Sequence, residues 1–340
     1  MTKSQFNLSI LRKAKFGHIL NAFKVYTTYY YSLLVKKPKL KGYPISIGIE
    51  PTTACNLGCP ECPSGLRSFT RATGNLKPET FNNVIQELRN KSLYLTFYFQ
   101  GEPFIHPKFL DMVKQASKAG FVTTTSTNAH FFTDKMAQKT IESGLDKIII
   151  SLDGITQEVY EQYRVNGSLD KVLKGTKKLV KWRKALKSKT PYIMFQFLVV
   201  KPNEHQIEAA KKLAHELEVD EIAFKTAQIY DYQNGSELIP SINKYSRYKR
   251  MANGKYKLKN KLLNQCWKMW NSCVITWDGD VVPCCFDKDA KYKMGNINTL
   301  GFKEIWEKAA YTNFRQKILL GRKNIDICTN CSEGTKVWEN

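Results

Sequence analysis

Three cysteines, Cys55, Cys59 and Cys62, stand in the spacing C-x₃-C-x₂-C directly after the apolar run Ile45 to Glu50. Thiolates are soft ligands. Three on one short loop can hold three corners of an iron–sulfur cluster and leave one iron without a protein ligand. That open corner is a place where chemistry can begin. A structural zinc site is the competing use of the same thiols, but it wants four ligands. This stretch offers three, and no histidine follows before His106.

A second group comprises Cys266, Cys273, Cys284, Cys285, Cys328 and Cys331, more thiols than one tetrahedral centre needs. Cys328 and Cys331 form a C-x₂-C pair, and Cys284 closes the segment Gly279-Asp-Val-Val-Pro-Cys284. The fourth ligand is Cys266 or Cys273, and the metal is an iron–sulfur cluster or zinc. Cys285 follows a ligand, so strand alternation turns it to the other side. There it either transfers a proton or hydrogen atom as a catalytic thiol or is an inert buried cysteine.

The elements that position these residues alternate in type. Strands are expected at Ile45 to Glu50, Tyr94 to Gln100, Phe121 to Ser126, Lys147 to Leu152, Tyr192 to Val200 and Glu221 to Lys225. Helical patterns lie between them, near 78–90, 107–119, 133–143, 168–187 and 204–218. Six β-then-α units over 43–230 predict a parallel sheet with right-handed crossovers, open or curled as part of a barrel. The cysteine loop leaves the end of the first strand, where functional loops of parallel barrels gather.

Residues 231–263 lose periodicity and read as a linker or lid. In 264–340, a hairpin turns at Asp278-Gly279, and a helix pair follows near 301–319. Residues 1–42 are basic and carry Phe16, Ile19, Leu20, Phe23, Tyr26, Tyr30, Leu33 and Leu34 at helical spacing. Lys24, Asn21 and two threonines interrupt that run, which makes it a poor membrane span. Two uses of the amphipathic helix remain: packing on the main domain, or lying on an anionic membrane beside Lys36, Lys37, Lys39 and Lys41.

The 340 residues are 42% apolar and 24% charged, enough to build one large domain with smaller units attached. Nine cysteines in two tight groups do not make a disulfide scaffold. No secretory signal is evident, so a reducing cytosol is the expected setting, with membrane association open through the N-terminal helix. The 53 Lys+Arg against 30 Asp+Glu give a net charge of +23, which suits anionic partners or simply a solvated basic surface. No RNA-binding motif accompanies it, and nucleic acid is not expected as a partner.

Taken together, the cysteine loop and four later segments resemble the radical S-adenosylmethionine (radical SAM) superfamily. Gln100-Gly101-Glu102-Pro103 is similar to the family's GGEP motif, with Gln in place of the first Gly. Ser126-Thr127-Asn128, Ser151-Leu152-Asp153-Gly154 and Arg164 resemble its cofactor-contacting segments. The resemblance implies a partial (β/α)₆ barrel of α/β class with a small α+β C-terminal auxiliary-cluster domain. It implies a [4Fe–4S] cluster on Cys55, Cys59 and Cys62, S-adenosylmethionine on the free iron, and a 5′-deoxyadenosyl radical that abstracts hydrogen. Gln100, Gly101, Glu102, Pro103, Ser126, Asn128, Ser151, Asp153 and Arg164 would then be cofactor contacts. A reductant such as flavodoxin or ferredoxin would be a partner.

Trp277 to Asp287, Met294-Gly-Asn-Ile297 and Glu304-Ile-Trp306 resemble the SPASM extension of these enzymes. No cysteine lies between 286 and 327, so the shorter twitch form with one auxiliary [4Fe–4S] cluster fits better, on Cys266, Cys284, Cys328 and Cys331. A fully ligated cluster has no open iron and can take an electron. That points to a net two-electron oxidation, and the expected substrate is a small metabolite, such as a sugar or a lipid-linked one. The N-terminal segment is too short for the winged-helix domain of many peptide-modifying relatives. A peptide maturase is the alternative, and a non-catalytic basic cluster protein that binds RNA or membrane is the further one.

Overall fold

Short β-branched and aromatic runs become strands because their side chains pack on both faces of a covered parallel sheet. A computed structural model of the chain describes residues 2–331 and the backbone of 338–339. After helices α1 (Lys3–Lys13) and α2 (Phe16–Val35) come β1 (Ser46–Ile49), α3 (Pro63–Leu66), α4 (Pro78–Leu88), β2 (Tyr94–Phe97) and α5 (Phe109–Lys118). Next are β3 (Val122–Thr127), α6 (Asp134–Glu142), β4 (Lys147–Ser151), α7 (Gln157–Tyr163), α8 (Leu169–Ala185), β5 (Tyr192–Val199), α9 (Ile207–Glu216) and β6 (Glu221–Thr226). All six expected strands form, and each pairs in parallel with the next.

The outer helices cover this sheet with apolar stripes. In α4, Phe81, Val84, Ile85 and Leu88 recur at i, i+3, i+4 and i+7, and all are buried. Fully burying each such side chain contributes about 1.5–3 kcal/mol. On the strands, alternate residues split between two packings. Ile148, Ile150, Ile193 and Phe195 face the helices, whereas Ile149, Tyr192, Met194 and Ala223 face inward and pack on Phe6 of α1. Phe6 stacks on Tyr192 at 4.9 Å, so α1 plugs the end of the barrel where the strands begin. Lys13 locks it there through an ion pair with Asp146 at 2.7 Å.

The N-terminal segment departs from expectation. It is two helices, and the expected apolar stripe of α2 points outward: Phe16 and Leu34 are each 79% exposed. The buried side is chosen by hydrogen bonds as well as by Val25 and Tyr29. Asn21 Nδ2 donates to the carbonyls of Tyr43 at 2.9 Å and Lys91 at 3.1 Å, and Ser32 Oγ donates to that of Lys39 at 3.0 Å. Among the described residues, no helix is long and apolar enough to cross a membrane.

Residues 231–263 are more ordered than a linker. A hairpin of β7 (Tyr248–Arg250) and β8 (Tyr256–Leu258) forms there, and Tyr232 stacks on buried Tyr248 at 4.4 Å. Then follow α10 (Lys268–Asn271), β9 (Ser272–Ile275), β10 (Asp280–Val282), β11 (Gly295–Asn296), α11 (Phe302–Glu307), α12 (Ala309–Gly321) and β12 (Trp338–Glu339). The expected hairpin is β9–β10, with Gly279 in its turn at φ +91. β9 also pairs in parallel with β1, so the C-terminal region extends the barrel's own sheet.

Candidate functional site

Period-two alternation continues from the plugged end of the barrel to its open end. Inward Ile149 and Met194 are followed, two residues on, by Ser151 and Gln196, and Ala223 is followed by Lys225. Strand register puts Ser126 opposite Ile149, and hence on the same face. These four residues, with Tyr98 after β2, line a cavity of about 300 Å³ at the C-terminal ends of the strands. Cys55, Cys59 and Cys62 line the same cavity, together with Gln100, Gly101, Glu102, Asn128 and Arg164.

The loop is held in place by the turn after β2. Gly101, at φ +74, lies so close that a Cβ there would sit 2.2 Å from the Thr52 carbonyl oxygen and 2.9 Å from that of Ala54. Only glycine fits both the conformation and the approach. Ser64 Oγ accepts from the Gly101 N–H at 2.9 Å, and the Glu102 N–H donates to the Ala54 carbonyl at 2.8 Å. The Glu102 carboxylate then ties β2 to β3. It accepts from Thr127 Oγ1 at 2.8 Å, the Asn128 N–H at 2.7 Å and the Phe104 N–H at 3.2 Å. Burial outweighs these bonds and pushes its pKa up to about 7. Asn128 Nδ2 continues the network to Asn56 Oδ1 inside the cysteine loop, at 2.8 Å.

Arg164 reaches the loop from the other side, with Nη1 3.6 Å from Cys59 Sγ. Asp153 does not line the cavity. Fully buried, it takes Arg164 Nε at 2.5 Å and the Leu198 N–H at 2.7 Å, so it aims Arg164. Pro103 also lies off the cavity, where it opens a short 3₁₀ turn. Gln100 replaces a glycine without closing the site, and its Oε1 lies 3.9 Å from Cys62 Sγ. Arg71 does not line the cavity and forms a buried two-bond ion pair with Glu50 at 2.9 and 2.5 Å. Arg67 is exposed, and His106 is bonded to the Leu76 carbonyl at 2.9 Å.

At the second cysteine group, Cys266, Cys328 and Cys331 all bear electrostatically on buried Arg322, whose Nη2 donates to Cys331 Sγ at 2.9 Å. Cys266 also bears on Cys284. Cys273 sits apart on β9, beside Tyr311 and Arg315, and burial pushes its thiol up. Cys266, rather than Cys273, thus shares the surroundings of Cys328 and Cys331. Among the described residues, no three Cys, His, Asp or Glu side chains converge as they would round a single ion. Tetrahedral zinc would need sulfurs about 3.8 Å apart, whereas a larger inorganic core spreads its thiolates wider.

Cys285 does not alternate with Cys284 on a strand, because β10 ends at Val282 and both thiols lie in the following turn. It is exposed, not an inert core cysteine. Its thiol is pulled down to about 5, first by a hydrogen bond with Cys284 and then by Lys268, Lys225 and Lys288. Sequence reasoning missed Tyr98, Gln196, Lys225 and Lys288. For two of them a signal existed: Gln196 and Lys225 are the polar interruptions near the ends of apolar strands, Tyr-Ile-Met-Phe-Gln and Ile-Ala-Phe-Lys.

Residues 49–221 match the radical SAM superfamily, and residues 266–332 match an iron–sulfur cluster-binding domain, SPASM. A Pyrococcus furiosus protein, the tungsten-containing aldehyde ferredoxin oxidoreductase cofactor-modifying protein, is 29% identical over 84% of this chain and 86% of its own length. The S-adenosyl-L-methionine-dependent 2-deoxy-scyllo-inosamine dehydrogenase of Niallia circulans is 25% identical over 84% of this chain and 92% of its own. The fold is also that of Streptococcus suis SuiB bound to its precursor peptide SuiA. The TM-score there is 0.61 at 15% identity, over 85% of this chain and 70% of that one.

Proposed function

The chain belongs to the radical SAM superfamily, an enzyme with a [4Fe–4S] cluster, an auxiliary iron–sulfur centre and a site for S-adenosylmethionine, and from that premise we propose its reaction and residue roles. The reaction is a net two-electron oxidation of a small metabolite. One observation carries the assignment of the reacting site: the three loop thiols share one cavity with an inward polar residue from each of four successive strands. Cys55, Cys59 and Cys62 would hold the cluster, and all three line that cavity. When bound, the cluster supplies the electron that cleaves S-adenosylmethionine to methionine and the 5′-deoxyadenosyl radical.

The protein groups then orient the cofactor. Arg164, aimed by Asp153, presents its guanidinium to the methionyl carboxylate. The Gly101–Glu102 turn would meet the amino group, and Ser126, Asn128 and Ser151 would offer hydroxyl and amide partners to the carboxylate and ribose. Cys266, Cys284, Cys328 and Cys331 hold the auxiliary centre, with Arg322 offsetting thiolate charge. A substrate that gives up a hydrogen atom and a proton has one electron still to lose, and the auxiliary centre, when bound, would supply an acceptor for it. Cys285, exposed among lysines, is the candidate proton acceptor. A flavodoxin or ferredoxin supplies the first electron.

The dehydrogenase relative supports a small-molecule substrate, while likeness to the peptide-bound structure is a likeness of fold. Anaerobic reconstitution, reduction with dithionite and chromatographic assay should give 5′-deoxyadenosine. A cluster-loaded protein that forms none would refute the reading. Peripheral membrane contact belongs to the same proposal, because Phe16, Ile19, Phe23, Tyr26, Tyr30 and Leu34 are each more than half exposed beside lysines. Sedimentation with phosphatidylserine vesicles should fall on Phe16→Ser/Phe23→Ser. Equal binding of that variant would dismiss the helix as an anchor.

A further inference from the structure

The outward face of α2 and a cavity at its flank belong to one surface. A turn of about 3.6 residues puts the exposed Phe16, Ile19, Phe23, Tyr26, Tyr30 and Leu34 on one face and the buried Val25, Tyr29 and Ser32 on the opposite one. Between the two faces, Gly17, Leu20, Asn21 and Lys24 recur at i, i+3, i+4 and i+7. They wall a cavity of about 440 Å³, closed on its other sides by residues 40–43, by Asn90 and Lys91 after α4, and by α11. Leu20, 42% exposed, belongs both to the cavity and to the apolar face.

Asn21 builds this cavity. Its Nδ2 donates to the carbonyls of Tyr43 and Lys91, and its Oδ1 accepts the Tyr43 N–H at 2.7 Å. Gly42 permits the approach: at φ +93, a Cβ there would lie 2.6 Å from Asn21 Oδ1. The backbone so held brings Lys24, Lys41, Lys91 and Lys303, from four separate segments, to one space. Lys91 is engaged, with Nζ donating to Tyr43 Oη at 3.0 Å and lying 4.1 Å from the centre of that ring. Among the described residues, Lys24, Lys41 and Lys303 form no ion pair, and Glu307 is the one acidic side chain in the lining.

Resting on the reading of α2 as a membrane contact, we propose that this cavity receives the phosphate headgroup of an anionic phospholipid whose acyl chains lie along the apolar face of α2. Charge and placement both select that occupant. The lysines open beside an aliphatic and aromatic face, and rings such as Tyr26 and Tyr30 suit the boundary between headgroups and acyl chains. Each lysine near an anionic bilayer adds to the attraction. A second copy of the chain, meeting this face about a two-fold axis, would bring the same excess of lysines against it. A headgroup held in the cavity fixes how the enzyme is turned on the bilayer, which the diffuse attraction of a basic surface does not.

The test is sedimentation of cluster-loaded protein with phosphatidylcholine vesicles, with and without one-third phosphatidylglycerol, at physiological salt. Lys41→Gln/Lys303→Gln removes two charges from the cavity, and Lys36→Gln/Lys37→Gln removes two beside the C-terminus of α2, outside it. Binding that requires phosphatidylglycerol is expected, and the cavity pair should weaken it at least tenfold more than the outer pair. Equal loss from the two pairs, or equal binding to neutral vesicles, would overturn the headgroup site. Calorimetric titration of water-soluble dihexanoyl-phosphatidylglycerol separates this site from the membrane reading. Saturable binding that the cavity pair abolishes, without sedimentation on vesicles, rejects only the membrane contact; sedimentation without saturable binding rejects only the headgroup site. A dimer in sedimentation velocity that Phe16→Ser/Phe23→Ser dissolves would assign the face to a second copy and overturn both.

Discussion

The two cysteine groups use the same ligand chemistry in opposite surroundings. At the first, three thiols sit on one loop and face a cavity walled by strand ends, where Glu102, Asn128 and Arg164 are each bonded to another part of the chain. At the second, thiols from distant parts of the chain gather around buried Arg322, and no residue of that quartet lines the reaction cavity. The contrast teaches what separates a reacting centre from an electron reservoir. A reacting centre needs an unfilled position and a shaped space beside it; a reservoir needs full ligation, burial and a compensating charge.

Removing one ligand from each group is the most direct way to break that comparison. Cys59→Ala should lower 5′-deoxyadenosine formation at least about 1,000-fold, because one lost corner removes the cluster on which cleavage depends. Cys328→Ala should lower bound iron by about half but reduce 5′-deoxyadenosine formation less than about tenfold. Iron analysis and anaerobic cleavage assays on both variants check the pair. If Cys328→Ala abolishes cleavage as completely as Cys59→Ala in protein that still carries the first cluster, the division of labour is wrong.

The open site was far more legible in the sequence than the closed one, for a physical reason. Its ligands lie within eight residues, and Ser126 and Ser151 stand in strand-end segments that resemble the family's cofactor contacts, so both could be singled out before the fold was known. Long-range pairing is what stayed hidden. Nothing local announces that β9 joins β1 across more than 200 residues, or that Arg71 closes on Glu50. The choice between Cys266 and Cys273 likewise needs the third dimension, where Arg322 attends one and Arg315 the other. On α2 the period was legible, but which face packs on the domain was left open. Apolar spacing cannot see that Asn21 and Ser32 have backbone carbonyls waiting for them.

A milder perturbation sharpens the comparison inside the open site. Arg164→Lys keeps the charge but loses the planar fork that reaches Asp153 and Cys59 together. The Kd for S-adenosylmethionine should rise about tenfold, a loss typical of one charge-assisted hydrogen bond, with iron content unchanged. Equilibrium dialysis with labelled S-adenosylmethionine measures it. An unchanged Kd would remove Arg164 from the cofactor site.

The smallest expected effect concerns Glu102, which distinguishes the open site as a titrating one. In cluster-free protein its pKa is raised by burial from 4.5 to about 7. Between those values the native state keeps a proton that the unfolded chain has lost, so this group's contribution falls as pH rises through that window and is flat above it. The full swing is at most about 3 kcal/mol, at 1.36 kcal/mol per pKa unit. Glu102→Gln cannot ionise and removes the slope, but its amide nitrogen cannot accept the bond that one carboxylate oxygen takes from the Asn128 N–H. The variant should therefore be less stable than wild type at pH 5 by about 1–3 kcal/mol and close that gap, or reverse it, by pH 8. Urea denaturation at the two pH values reads the difference directly. A gap that stays constant would mean that Glu102 is already ionised at pH 5, with its three donors outweighing its burial.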